Sequence, residues 1–168
     1  NTRNHAFFDR GVKPGIFFFH AGVKTERSFF QGFMTGLFGD AVIDGNLVVD
    51  EKGRMFLYYS RCCYKHPVES EIADEAKKKG MFDSVEESWI YGVEVAPDLT
   101  HVIGEPVLLL RPPVKLDDAQ SEWESRSVTN GEVGRRWTEG SFMLRHNGLY
   151  YMMYSANYFG GANYADRK

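Results

Sequence analysis

The sequence predicts an all-β chain of short antiparallel strands grouped in fours. Three observations predict it. Aromatic residues make up 15% of the 168 residues, with 13 Phe, 9 Tyr and 3 Trp. Such rings suit a pleated surface, and they also stack on sugar faces. The apolar runs are short and end at turn residues. One strand–turn–strand stretch occurs twice.

The elements follow in order. Strands are predicted over 16–20, 46–50, 55–60, 89–96, 107–110, 139–145 and 149–156, each rich in aromatic and β-branched residues. Turn signals bound them: Lys13-Pro14-Gly15, Glu51-Lys52-Gly53, Ala96-Pro97-Asp98 and His146-Asn147-Gly148. The last lies between two apolar runs and is a strong hairpin signal. Residues 68–79 read differently. Good helix formers follow Pro67 and end at Gly80, which predicts a short surface helix. Residues 111–135 are polar, contain Pro112-Pro113 and Gly131, and read as a long loop. The run Tyr150, Tyr151, Met152, Met153 and Tyr154 reads as core.

Composition excludes little but directs attention. Twenty basic residues against 23 acidic give a net charge of -3, with no basic face, so nothing supports nucleic acid as a partner. No run approaches the ~18 apolar residues of a membrane helix. The chain starts at Asn1, with no visible signal peptide, which reads as a processed, trimmed or cut N-terminus. Cys62 and Cys63 are the only cysteines. Neighbouring cysteines can join only through a strained ring, so two buried free thiols are expected. They lack the spacing of a zinc site, and no other metal motif is present.

The repeat carries the most information. Residues 43–60 lie over 138–155 without a gap. Gly45 falls on Gly140 and Gly53 on Gly148, and Tyr-Ser closes both copies. Asp44 and Glu139 occupy the same place. A weaker third copy ends at 14–22, with Gly15 on Gly53 and Ala6 where Asp44 would stand. Two more strands follow the middle copy, giving four per unit, which is the blade of a β-propeller. The innermost strands of a propeller line its central channel. Equivalent positions on different blades therefore converge at one end of it. Two readings fit Asp44 and Glu139: solvated strand-start residues, or carboxylates facing one another across a pocket.

Particular residues carry a resemblance. Val42-Ile43-Asp44-Gly45, then Val49-Asp50-Glu51-Lys52-Gly53 and Leu57-Tyr58-Tyr59, resembles one signature stretch of glycoside hydrolase family 43. Trp137-Thr138-Glu139-Gly140-Ser141-Phe142, with Asn147-Gly148-Leu149-Tyr150-Tyr151 and Tyr154-Ser155-Ala156-Asn157, resembles another. Both occur in the family's order. The resemblance implies a five-bladed β-propeller of four-stranded antiparallel blades. It implies an enzyme that removes arabinofuranosyl or xylosyl residues from plant-type polysaccharides or oligosaccharides with inversion. It assigns Glu139 as general acid and Asp44 as the residue that positions the acid and tunes its pKa. The alternative is a non-catalytic carbohydrate-binding propeller; a third reading is a purely structural one.

The resemblance also implies departures. Gly45 and Ser141 stand where prolines usually follow these acids, which loosens the backbone there. The family's general base lies on the first blade, upstream of anything here. Asp9 and Asp40 sit outside its motif and register, so the base is expected outside this chain. The chain then reads as part of one propeller domain, with blade two at about 1–40, blade three at about 41–135 and the start of blade four at about 136–168. The remainder of the propeller becomes its partner. No cofactor is implied in this chain, although a structural cation in the propeller axis fits the missing part. A secreted or periplasmic location is expected. Arg61, Asn157 and His5 are candidate sugar contacts. Their plainer readings are a surface ion pair for Arg61 and an ordinary loop for Asn157. His5-Ala6-Phe7 resembles the family's start of blade two. His20 reads as a hydrogen-bonded core histidine. Trp123-Glu124 and Trp137 read either as a sugar platform or as packing for the long loop.

Overall fold

The computed structural model describes residues 15–17, 42–65, 67, 69–118, 128–130 and 133–156. In chain order the elements are β1 (Gly15–Phe17), β2 (Val42–Val49), β3 (Met55–Lys65), helix α1 (Glu71–Lys78), β4 (Ser84–Val95), β5 (Val102–Leu110), β6 (Val128–Asn130), β7 (Val133–His146) and β8 (Leu149–Ala156). Each of the seven strands expected from the sequence has a counterpart, several of them longer than expected.

Strands β2, β3, β4 and β5 form an antiparallel meander, with β1 added outside β2. Val42, Leu47 and Val49 of β2, Met55, Leu57 and Tyr59 of β3, and Val93 and Val95 of β4 make one buried cluster. Alternation explains the choice: positions two apart in a strand share a face. Val42 and Leu47 are five apart, yet share the cluster, because β2 carries a bulge. Ile43 pairs with Ser60 and Asn46 with Tyr58, so Asp44 and Gly45 together face Tyr59. The extra residue restores the phase of the apolar side chains.

The meander is only part of a mixed sheet. The first half of β4 pairs in parallel with β7, Ser84 to Ser88 against Val133 to Trp137, while its second half pairs with β5. This corrects the reading of 111–135 as one loop: β6 and the start of β7 fall within it. The signal was hidden in charge. Glu86 and Glu87 lie opposite Arg135 and Arg136, so a polar run becomes a strand once each charge meets its partner. Beyond Trp137, β7 leaves β4 and forms an antiparallel hairpin with β8.

The helix expected near 68–79 is α1. Ser70 caps it, accepting from the Ala73 N–H at 3.2 Å; Glu71 and Asp74 lie in the first turn and Lys77 and Lys78 in the last, as the helix dipole favours. Ala73 packs with Phe82 and Val85 in a second small core. Cys62 is buried, with its sulfur 3.2 Å from the Ser88 hydroxyl.

One expectation about the core fails. Tyr150 and Tyr151 are each 46% exposed and Met153 55%. Among the described residues β8 pairs only with β7, and these side chains stay open to solvent. Among the described residues, no helix is long and apolar enough to cross a membrane, which says nothing about a β-barrel.

Candidate active site

The two sequence repeats fold into similar hairpins, but not in the register of the gapless alignment. The first turn holds three residues, 51–53, closed by the Asp50 N–H donating to the Arg54 carbonyl, with Gly53 at φ 78°. The second holds two, Asn147 and Gly148, at φ 49° and 78°, the mirror-image turn that suits strand twist. The shorter turn slips β7 by one position. Ser60 faces Ile43, whereas its counterpart Ser155 faces Glu139. β7 has its own bulge, with Gly140 and Ser141 opposite Tyr154. The matching left-handed bulge residues are therefore Asp44 (φ 56°) and Gly140 (φ 65°), not Asp44 and Glu139. Aspartate tolerates this conformation better than most residues, and glycine adopts it freely.

Glu139 comes within the field of Asp44 because β7 packs against β2 and β3 of the first sheet, the meander of β1 to β5. The Met143 N–H donates to Asn46 Oδ1 at 3.2 Å, and the Gly140 N–H donates to Ser60 Oγ at 3.0 Å. Thr138 Oγ1 donates to the Ser88 carbonyl at 2.8 Å. Arg145 pairs with Glu51 in the first turn. Asn46, Ser60 and Ser88 are buried polar residues on three successive strands. Asn46 and Ser60 accept from β7 through their side chains and Ser88 through its backbone carbonyl, so these buried polar groups are satisfied.

The outcome is electrostatic. Glu139 is half-buried, and its pKa is pushed up from 4.5 to about 7, first by burial and then by the negative charge of Asp44. Both causes disfavour the charged carboxylate. Asp44 itself is exposed at its bulge. A protonated carboxylic acid beside a carboxylate is the arrangement a proton donor needs near neutral pH.

Arg61 lies opposite Val42 on one side and Trp89 on the other. Its guanidinium sits 5.1 Å from the Tyr64 ring centroid. Tyr64 stacks on Trp89 at 4.2 Å, and Arg111 lies 4.1 Å from the Trp89 centroid. A ladder of cation, ring, ring and cation thus links exposed Arg61 to the protein interior, where cation–ring contacts gain from desolvation. Trp137 is buried where β7 leaves β4, a packing position. Asn157, His5, His20, Asp9, Asp40, Ala6, Trp123 and Glu124 lie outside the described residues.

Sequence reasoning missed a buried charge cluster behind this ladder. Glu87 Oε2 accepts from Arg111 Nη2 at 2.8 Å and from Trp89 Nε1 at 2.6 Å. Glu87 Oε1 accepts from Ser70 Oγ at 3.4 Å and lies 3.7 Å from Arg136 Nη1. Arg136 is fully buried and also donates to the Pro113 carbonyl at 3.1 Å. Burial pulls its pKa down, while Glu87 pushes the other way. The doublets Glu86-Glu87 and Arg135-Arg136 were the available signal. Among the described residues, no group of three or more His, Cys, Asp or Glu side chains is placed to hold a metal ion.

Comparison with known proteins gave one similarity. The crystal structure of a thermostable family-43 glycoside hydrolase matches 70% of this chain at 30% sequence identity, with a TM-score of 0.46. The chain spans 30% of the length of that protein. No protein-family model matches, and no curated protein does.

Proposed function

We propose that the chain is part of the catalytic β-propeller of an inverting glycoside hydrolase of family 43. Its substrates are terminal arabinofuranosyl or xylosyl groups on plant-type polysaccharides or oligosaccharides. Glu139 is the general acid that protonates the leaving oxygen. Asp44 holds that acid in its protonated form, and Arg61 binds a sugar hydroxyl. The general base comes from a part of the protein outside this chain.

One observation carries the proposal. Glu139 is half-buried beside Asp44 and holds its proton up to about pH 7. An ordinary surface glutamate is fully ionised there and cannot donate. Inverting hydrolysis requires such an acid on one side of the glycosidic bond and a base-activated water on the other. The signature residues around both acids support the same reading.

The test uses the full-length protein with aryl arabinofuranosides, aryl xylosides and arabinoxylan. Release of sugar with inverted anomeric configuration, followed by proton NMR, is the expected result. Glu139→Gln should lower turnover of poor leaving groups by ~10²–10⁴, and that of activated aryl leaving groups less. Equal losses on both would make Glu139 structural. Sugar binding without turnover would favour the carbohydrate-binding alternative.

A further inference from the structure

We propose that Ser60 is a positioning residue that ties the bulge carrying Asp44 to the bulge that follows Glu139 and fixes the spacing of the two carboxylates. The proposal rests on the catalytic reading of Glu139 and Asp44.

The geometry is specific to this serine. Ser60 is fully buried on β3. On one side it pairs directly with Ile43, the residue before Asp44. On the other, its hydroxyl oxygen accepts the Gly140 N–H at 3.0 Å, the residue after Glu139. One residue therefore bears on both bulges: its backbone pairs beside the first, and its side chain meets the second. A bulge interrupts the ladder and leaves its residues short of regular partners. Here, the backbone N–H of the left-handed residue Gly140 is met by a side chain from the first sheet. Among the other contacts between β7 and the first sheet, Thr138, the residue before Glu139, is held to the Ser88 carbonyl but touches neither bulge. Arg135–Glu86 and Arg136–Glu87 hold the parallel segment, and Asn46 holds the far end at Met143. They set the path of β7. Ser60 alone among these contacts bears on both bulges.

The hydroxyl also suits the place. A side chain larger than threonine would push the bulges apart. An apolar one of similar size would leave a partly buried N–H unpaired, which pulls the bulge toward water. Either change alters how close Glu139 stands to Asp44, the charged group that faces it, and how dry it remains.

The test measures the titration of Glu139 directly, by carbon-13 carboxyl NMR of the full-length protein, and needs no substrate. In the natural protein, Glu139 should titrate near 7. In Ser60→Ala, its midpoint should fall by about one unit, because water enters and the Asp44 charge recedes. Turnover of poor leaving groups should fall ~10-fold with KM changed less than about twofold, since misplaced reacting groups lose rate rather than binding. Ser60→Thr, which keeps the hydroxyl, should return the midpoint toward the natural value. Should Ser60→Ala fail to fold, Ser60→Cys offers a weaker acceptor of similar size and should give an intermediate midpoint. A variant that loses thermal stability while Glu139 titrates unchanged would overturn the proposal, because Ser60 would then be a core residue only. If the natural protein hydrolyses no glycoside, the catalytic reading falls, while the titration still decides whether Ser60 spaces the two acids.

Discussion

Glu139 and Asp44 show how one fold makes two carboxylates behave differently. Glu139 sits where β7 crosses the first sheet, partly shielded from water, and its charged form is disfavoured. Asp44 stands exposed at a left-handed bulge position, where water reaches it. The acid form of Glu139 is present below about pH 7 and lost above it. Activity that depends on that proton should decline as pH rises through this value. Asp44→Asn removes the second cause of the shift and leaves the first. The basic limb of the pH–rate profile should then move down by about one unit, while staying above the ordinary glutamate value because burial remains. A basic limb that does not move would mean that Asp44 exerts no field on the acid. The buried ladder behind the site makes a complementary point. Tyr64 is raised by burial and by its hydrogen bond to Tyr91, so it stays neutral and stacks on Trp89 throughout the working range.

Strands β4 and β7 decide how the site is assembled. β4 is shared: β3 flanks one edge along most of its length, while β5 and β7 divide the other. The parallel segment of β7 carries Gly134 against Phe82, which belongs to the small core under α1. A Cβ on Gly134 would meet the Phe82 ring at 2.7 Å, and a packed ring cannot yield as a flexible chain end does. Gly134→Ala should therefore lower stability by about 1–3 kcal/mol through overpacking. A thermal or urea melt of the full-length protein checks this, and an unchanged midpoint would show that the ring moves aside freely. The strand positions were legible in the sequence, because aromatic and β-branched runs ended at clear turn residues. The one-residue slip between the hairpins was not. Glu51-Lys52-Gly53 and His146-Asn147-Gly148 align without a gap, yet one closes as a three-residue turn and the other as two. Backbone hydrogen bonding chooses between them, and letters do not record it. The parallel pairing of β4 with β7 was equally hidden, since its partners are separated by the whole of β5 and the polar stretch after it.

At the scale of the molecule, the described residues hold an antiparallel meander and the hairpin that follows it. Leu149, Tyr150, Tyr151 and Met153 are exposed on β8, as are Ile103, Val107, Leu108 and Leu109 on β5. Apolar strand surface of this extent invites association, and an unpaired strand edge is a template for another chain. Residues 1–168 expressed alone should therefore self-associate in size-exclusion chromatography with light scattering, and should show no glycosidase turnover. The missing activity has a separate cause in the proposed reading: the base that activates water lies elsewhere. Turnover by the isolated chain, abolished by Glu139→Gln, would show that the base is within it after all.

Local sequence was enough to determine seven of the eight described strands, the short helix and the hairpin at Asn147-Gly148, because turn chemistry and alternation act over a few residues. The tertiary structure alone decided which face of the first sheet receives β7, that Ser60 reaches Gly140, and that Glu87 is buried between Arg111 and Arg136. It also decided that Tyr150 and Tyr151 of β8 are exposed rather than core. These contacts join residues far apart in the chain. Whether such a pair meets depends on how whole strands cross, and an aromatic strand is core only when a second layer lies over it.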